Sequence, residues 1–315
     1  EFMHQYVVEE PDFVRQFLQG IRTTPFRTLV HEEVLSDDVI EVLDWERASK
    51  VVAEAGRWSV GLCHCRHVAH HRGADCQKFE LETCLSLGSA VDYLVRHDLA
   101  REITKEDALD LLARSRDAGM VHLLDNVKSK PAFMCNCCGC CCEALSVFKR
   151  GNTEASAFSS NFLARVEPEG CTGCRLCEKA CPVDAITMVD DLREVKGKRV
   201  KRLAQVQEEL CIGCGVCALS CKEETLKMAD RPKRRIPPEG TIARFMAMSI
   251  DRGTFHNLLA DPNDGLSARA ANVFLKAILK LPPAKQLLAN ESLQSRFIKG
   301  MLKAAKKAKL EQPEI

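Results

Sequence analysis

Residues 171–182 read CTGCRLCEKACP, and residues 211–222 read CIGCGVCALSCK. Both runs carry Cys-x2-Cys-x2-Cys-x3-Cys, so one ligand pattern occurs twice. A repeated ligand pattern is far more informative than a single copy. Zinc sites are usually built from separate Cys-x2-Cys pairs, and neither run has that form.

The doubled pattern resembles that of bacterial-type dicluster ferredoxins, over about residues 160–230. The resemblance implies that each Cys-x2-Cys-x2-Cys triplet forms a tight loop presenting three thiolates to three irons of a 4Fe–4S cubane. The fourth Cys would start a helix and reach the other cluster. On that basis Cys171, Cys174, Cys177 and Cys221 hold one cluster, and Cys211, Cys214, Cys217 and Cys181 the second. Gly173, Gly213 and Gly215 would let the backbone curl around a cube and aim N–H groups at its sulfurs. Pro182 follows Cys181 as in the family, whereas Lys222 follows Cys221. A cation there favours the reduced state, so the first cluster's potential would be raised. The stretch between the copies is longer than the family's and contains LREVKGKRVKR (192–202), which reads as a basic hairpin. Such a hairpin is solvated surface or a docking patch for an acidic redox partner. With a cysteine for every iron, the segment reads as a wire and not as a reaction centre.

Eight of the eighteen cysteines are thereby used, and ten lie upstream. CHCRHVAHHRGADC supplies Cys63, Cys65 and Cys76, Cys84 follows, and CNCCGCCC supplies Cys135, Cys137, Cys138, Cys140, Cys141 and Cys142. Disulfides are disfavoured in a reducing compartment, and Cys137 cannot pair with Cys138 without strain. Zinc would take four sulfurs, or sulfur with histidine, and leave thiols idle. Two cubanes would absorb eight and leave two. One or two further iron–sulfur clusters are therefore expected here, with zinc the alternative. Cys63, Cys65, Cys76 and Cys84 would combine with part of the 135–142 set, with Gly139 supplying backbone freedom. A non-cubane or open-site cluster also fits, because ten ligands do not divide evenly. His64, His67, His70 and His71 read first as solvated loop residues, and Arg66 and Arg72 as cations able to neutralise cluster charge. No residue is assigned a catalytic role.

This upstream layout is similar to that of a group of anaerobe iron–sulfur proteins. There a Cys-x-Cys-Arg stretch, a helical middle and a Cys-Asn-Cys-Cys-x-Cys-Cys-Cys run precede a dicluster ferredoxin module. The similarity spans most of residues 55–230 and implies electron transfer within a larger anaerobic redox system.

The remaining signals are ordinary ones. The chain has 315 residues, a formal net charge of +1, two Trp and two Tyr, which offers neither a general basic surface nor stacking platforms for nucleic acid. It has no apolar run long enough to span a membrane and no secretory signal pattern. A cytoplasmic protein is expected. Glu1-Phe2 ahead of Met3 reads as a cloning remnant, placing the native start at Met3. SDDVIEVLDWERASKVVAEAG (36–56), ELETCLSLGSAVDYLVRHD (80–98) and TKEDALDLLARSRDAG (104–119) have helical spacing, with Thr104 as N-cap and Gly56 and Gly119 as stops. FLARVEP, AITMVDD and RLAQVQEEL read as short strands. GNTEASAFSSN (151–161) and RPKRRIPPEG (231–240) read as linkers. ARAANVFLKAILKL and SLQSRFIKGMLKAAKKAKL read as amphipathic helices, expected to pack on the protein itself or to dock a partner rather than a membrane.

The expected fold is α+β with three parts. A helical cysteine-rich domain covers 1–150, a ferredoxin-like module with short antiparallel strands 160–230, and a helical extension 240–315. The expected function is multi-cluster electron transfer between oxidoreductases, with redox proteins as partners and the oligomeric state open. The first alternative is an oxidoreductase whose catalytic or sensing metal centre lies in the upstream cysteine-rich region. A DNA-binding redox sensor is disfavoured, because residues 1–150 hold no strongly basic recognition helix.

Overall fold

The computed structural model describes residues 5–10, 12, 22–35, 44–74, 76–150, 159–282 and 291–310. The chain divides into two compact units, one of Glu1–Gln19 with Phe26–Ile236 and one of Gly20–Pro25 with Pro237–Ile315.

The first unit is organised by a six-stranded sheet. Its strands are β1 (Phe26–Thr28), β2 (Trp58–Leu62), β3 (Glu82–Leu87), β4 (Ala100–Ile103), β5 (Val121–Asp125) and β6 (Phe133–Cys137), in the order β1-β5-β6-β3-β2-β4. Every neighbouring pair is antiparallel. Because successive side chains point to opposite faces, this sheet has two distinct surfaces. On one, Val60, Leu85, Leu87, Leu124 and Met134 pack with Val51 and Val52 of helix Ala48–Glu54 and with Ala108, Leu111 and Leu112 of helix Lys105–Asp117. On the other, Val121, Leu123 and Cys137 share a core with Phe162, Leu163, Ile212 and Val216 from the double-motif segment. Each such buried aliphatic side chain stabilises by about 1.5–3 kcal/mol. The sheet is therefore an apolar wall with helices behind it and the double motif in front.

This architecture corrects the expectation of a helical region over 1–150. Residues 80–98 are not one helix; they form β3 and then helix Ala90–Arg96. In ETCLSL the apolar residues also alternate, and left-handed Gly88 (φ 58°) interrupts the chain. A short apolar run satisfies both periods, and strand pairing decided it. Cys84 thus lies on a strand. Helix Lys105–Asp117 matches its expected limits: the Thr104 hydroxyl accepts from the Asp107 N–H, Asp107 accepts in return, and Gly119 (φ 70°) follows the end. Of the helix expected over 36–56, the described residues form a 3-10 turn, Asp44–Glu46, and helix Ala48–Glu54; 36–43 lie outside them, as do 151–158 of the first expected linker.

Four further strands frame the double motif. β7 (Phe162–Val166) pairs antiparallel with β10 (Leu226–Asp230), and β8 (Ile186–Val195) with β9 (Lys198–Val206). The β8–β9 hairpin is the expected basic one, turning through Lys196 (φ 49°) and Gly197 (φ 74°), a two-residue turn whose positive φ values suit the twist of the strands. It does not stand free. Arg193 donates to the Cys171 carbonyl at 2.7 Å, and Lys196 pairs with Glu223. Buried Asn161 pins the start of β7, donating to Glu46 (2.6 Å) and accepting from the Arg235 N–H (2.6 Å).

The second unit is helical: Thr241–Asp251, Phe255–Leu259, Leu266–Lys280 and Glu291–Leu310. Its core gathers Ala243, Met246, Ala247, Ile250, Phe255 and Ile298, with Phe297, Met301 and Leu302 against them. Among the described side chains of the last helix, Phe297, Ile298, Met301 and Leu302 are thus packed within its own unit. Among the described residues, no helix is long and apolar enough to cross a membrane.

Candidate metal centres

The two motif copies have the same backbone. Each runs as a loop through its first two cysteines and enters a short helix before the third, at Leu176–Ala180 and Val216–Leu219. Two left-handed residues shape each loop, Gly173 and Arg175 in the first and Gly213 and Gly215 in the second. Such alternation turns N–H groups inward and suits an anionic guest. The helix therefore carries the third cysteine; it is not started by the fourth, as the resemblance implied. Cys181 instead follows the C-terminus of the first helix.

The eight thiols form two groups. A concavity is lined by Cys171, Cys174, Cys177 and Cys221, with Val166, Met188 and Leu226 among its apolar walls. Burial pushes the Cys177 thiol up to about 11, and Cys171, Cys174 and Cys221 push it further in the same direction. In the second group burial raises Cys214 and Cys217, with Cys181 and Cys211 as close neighbours of both. Amides and hydroxyls are aimed at the sulfurs: Ala185 N–H donates to Cys181 Sγ at 3.2 Å, and Thr225 Oγ1 lies 3.7 Å from Cys221 Sγ. Apolar walls, inward amides and four thiols suit a cubane, which needs a dry, hydrogen-bonded site.

Upstream, strand geometry sorts the other ten. Cys135 and Cys137 are two apart on β6 and so share the sheet face toward the double motif. The β3–β6 register pairs Leu85 with Met134, and one step further it sets Cys84 opposite Cys135. Cys63 caps helix His64–His71, which carries Cys65, while Cys142 immediately precedes helix Glu143–Arg150. These six converge. Cys137 and Cys65, with the Leu145 and Ala144 amides, hold Cys142 well below the usual thiol range. Cys137 and Cys84 are the neighbours that hold Cys135 low.

The remaining four, Cys76, Cys138, Cys140 and Cys141, have sulfurs that all lie within 4.8 Å of one another. Beside them Arg66 is 1% exposed. It donates to the Glu80 carbonyl at 2.5 Å, and its cation lies close enough to the Cys138 thiol to favour the thiolate. Burial raises Cys138, but the Cys141 amide and the Arg66 cation outweigh it and hold that thiol at about 7. His67 and His71 face each other across one helical turn, Nε2 to Nε2 3.0 Å, on an exposed surface.

One connection had no signal in the sequence. His31 N–H donates to the Cys214 carbonyl at 3.0 Å, and its ring packs edge-on against His122 at 4.7 Å. His122 Nδ1 meets Asn136 Oδ1 at 2.8 Å across the β5–β6 register, between Cys135 and Cys137. All three are buried, so a polar thread runs from the second motif loop to the strand that carries Cys135 and Cys137. Two solitary histidines 91 positions apart give no pattern to read. Burial, then the neighbouring His31, lower His122 from 6.5 to about 3. Between those values the unfolded chain binds the extra proton, so stability falls as pH drops below 6.5. At pH 5 the expected cost is about 2 kcal/mol. Under anaerobic urea denaturation, His122→Gln should lose about that much less than wild type between pH 7 and pH 5. Equal losses would show that His122 is not the group responsible.

Gly139 joins the upstream thiols to the second motif group. A Cβ there would lie 2.4 Å from the Pro182 carbonyl oxygen and 2.8 Å from its Cα. The CNCCGCCC loop therefore rests on the residue next to Cys181. Residues 170–225 match the family of the 4Fe-4S dicluster domain. No curated protein and no solved structure matches the chain.

Proposed function

We propose that this protein is a multi-cluster iron–sulfur electron carrier, or the electron-transfer subunit of a larger oxidoreductase. The observation that carries the reading is the pairing of a dicluster domain at 170–225 with a second body of ten thiols that touches it through Gly139 and Pro182. Cys171, Cys174, Cys177 and Cys221 hold one 4Fe–4S cluster, and Cys211, Cys214, Cys217 and Cys181 the other. The six-thiol group of Cys63, Cys65, Cys84, Cys135, Cys137 and Cys142 holds a further iron–sulfur centre. Bound clusters supply one-electron steps at low potential.

The chain's own residues set how easily those steps occur. Ala185 N–H and Thr225 hydroxyl, directed at Cys181 and Cys221, favour the more negative, reduced state. The two motif groups differ in access. Cys174 is exposed, whereas Cys211, Cys214 and Cys217 are all buried, so exchange with a redox protein takes place on the Cys174 side. The buried group faces inward, toward the upstream thiols.

The test is anaerobic iron and acid-labile sulfide per chain, followed by a reductive titration watched by electron paramagnetic resonance. At least about eight of each is expected from the dicluster domain alone, with more from the upstream centre. The signals should appear reversibly, one electron at a time. A chain that keeps fewer than eight irons and shows no reversible reduction would refute the reading.

A further inference from the structure

The ten upstream thiols do not form one pool, and the smaller group differs in kind from the others. We infer that Cys76, Cys138, Cys140 and Cys141 bind a single tetrahedral metal ion, zinc or one iron, without inorganic sulfide. The inference refines, and rests on, the reading of the upstream cysteines as metal ligands.

Spacing carries it. Four thiolates about 2.3 Å from one ion, at the corners of a tetrahedron, are about 3.8 Å apart. Cys140 and Cys141 have their sulfurs 3.8 Å apart, and all four sulfurs lie within 4.8 Å of one another. Thiolates that each bind a different iron of a cubane stand farther apart, by roughly the separation between irons. The molecule supplies its own comparison. Among the described residues no group from the ferredoxin motifs, and none from the six-thiol set, closes to that spacing.

The backbone explains why these four meet. β6 ends at Cys137, and the chain turns tightly, with the Cys142 N–H returning to the Cys138 carbonyl at 3.3 Å. That turn puts Cys138, Cys140 and Cys141 at one place. Helix His64–His71 ends with left-handed Gly73 (φ 65°), and the following loop delivers Cys76. Met120, Ala69, Phe79 and Ala118 form an apolar seat around the group. Cys138 and Cys141 are buried, while Cys140 is exposed and leaves a way in for an ion.

Charge and geometry agree on the guest. A divalent ion with four thiolates carries a net charge of −2, and the buried Arg66 guanidinium at Cys138 offsets half of it. A tetrahedral all-sulfur set selects zinc or iron over calcium, magnesium or manganese. A disulfide needs sulfurs about 2.05 Å apart, and every cysteine in the chain is free. Bound there, the ion would tie the loop after helix His64–His71 to the turn that rests on Pro182. It would thereby hold the six-thiol group in place beside the dicluster domain.

The full chain, purified anaerobically, provides the test through iron, zinc and acid-labile sulfide per chain in wild type, Cys140→Ser and Cys76→Ser. Each variant should lose one metal atom per chain and no sulfide. On wild type itself, zinc X-ray absorption should show four sulfur neighbours at about 2.3 Å and no metal neighbour. If the ion is iron, Mössbauer spectra should instead show one isolated four-sulfur site. Loss of several irons together with sulfide from Cys140→Ser, or a metal neighbour at the zinc, would overturn the inference. Wild type with eight irons, eight sulfides and no other metal would overturn it together with the upstream-metal reading, leaving the dicluster reading intact. A wild-type sulfide count below eight would count against the dicluster reading alone.

Discussion

Gly213→Ala should remove one cluster from the dicluster domain, a loss of about four irons and four sulfides per chain. Gly213 has a φ of 68°, and a Cβ on it would lie 2.2 Å from the Phe162 carbonyl oxygen and 2.4 Å from Ser160 Oγ. Neither neighbour can yield. The Ser160 N–H donates to the Ile212 carbonyl at 2.9 Å and its hydroxyl to the Gly213 carbonyl at 2.6 Å. Phe162 is fully buried and opens β7. The added methyl therefore meets left-handed strain and overpacking together, about 2–5 kcal/mol in sum. The second motif loop would have to leave β7, which breaks the approach of Cys211 and Cys214 to Cys181. Iron and sulfide analysis with an anaerobic denaturation midpoint would measure both effects. Full cluster content and an unchanged midpoint would mean that the loop is not held against β7 as described.

Gly139→Ala should act differently, leaving the dicluster domain loaded while weakening its link to the upstream thiols. The obstruction is again backbone, because Pro182 O, Cα and C all lie within 2.9 Å of the added carbon. Its φ is not left-handed, so strain comes from overpacking alone, about 1–3 kcal/mol. Relief requires the CNCCGCCC turn to lift from Pro182, and Cys135, Cys137 and Cys142 would move away from Cys181 with it. Electron tunnelling weakens steeply with separation, so exchange between the upstream centre and the dicluster clusters should slow. Rapid-freeze paramagnetic resonance after mixing with a low-potential reductant would follow the two sets of signals separately. The upstream signal should lag in the variant, with eight dicluster irons retained. Simultaneous reduction at the wild-type rate would show that electrons do not pass by this contact.

The parts legible in the sequence are those whose cause is local. Cys-x2-Cys-x2-Cys is a property of seven residues, and the glycines that let such a loop curl stand inside it. Helix Lys105–Asp117 was readable for the same reason, since Thr104, Asp107 and Gly119 settle both ends within sixteen positions. Where the expectation failed, two local periods fitted equally well. ETCLSL satisfies a helix as readily as a strand, and only its pairing with β2 and β6 selected the strand.

By itself, then, the amino-acid order determined that cysteine ligation dominates this protein and that one ligand pattern occurs twice. It determined as well that the upstream thiols are too many for a core. The division of those ten into six and four was decided by tertiary structure. It depends on the β3–β6 register that sets Cys84 opposite Cys135, on the loop that carries Cys76 to the 138–141 turn, and on the contact of Gly139 with Pro182. Spacing along a chain constrains thiols a few residues apart. Thiols fifty or more residues apart meet only when strand pairing and the packing of both sheet faces bring their backbones together.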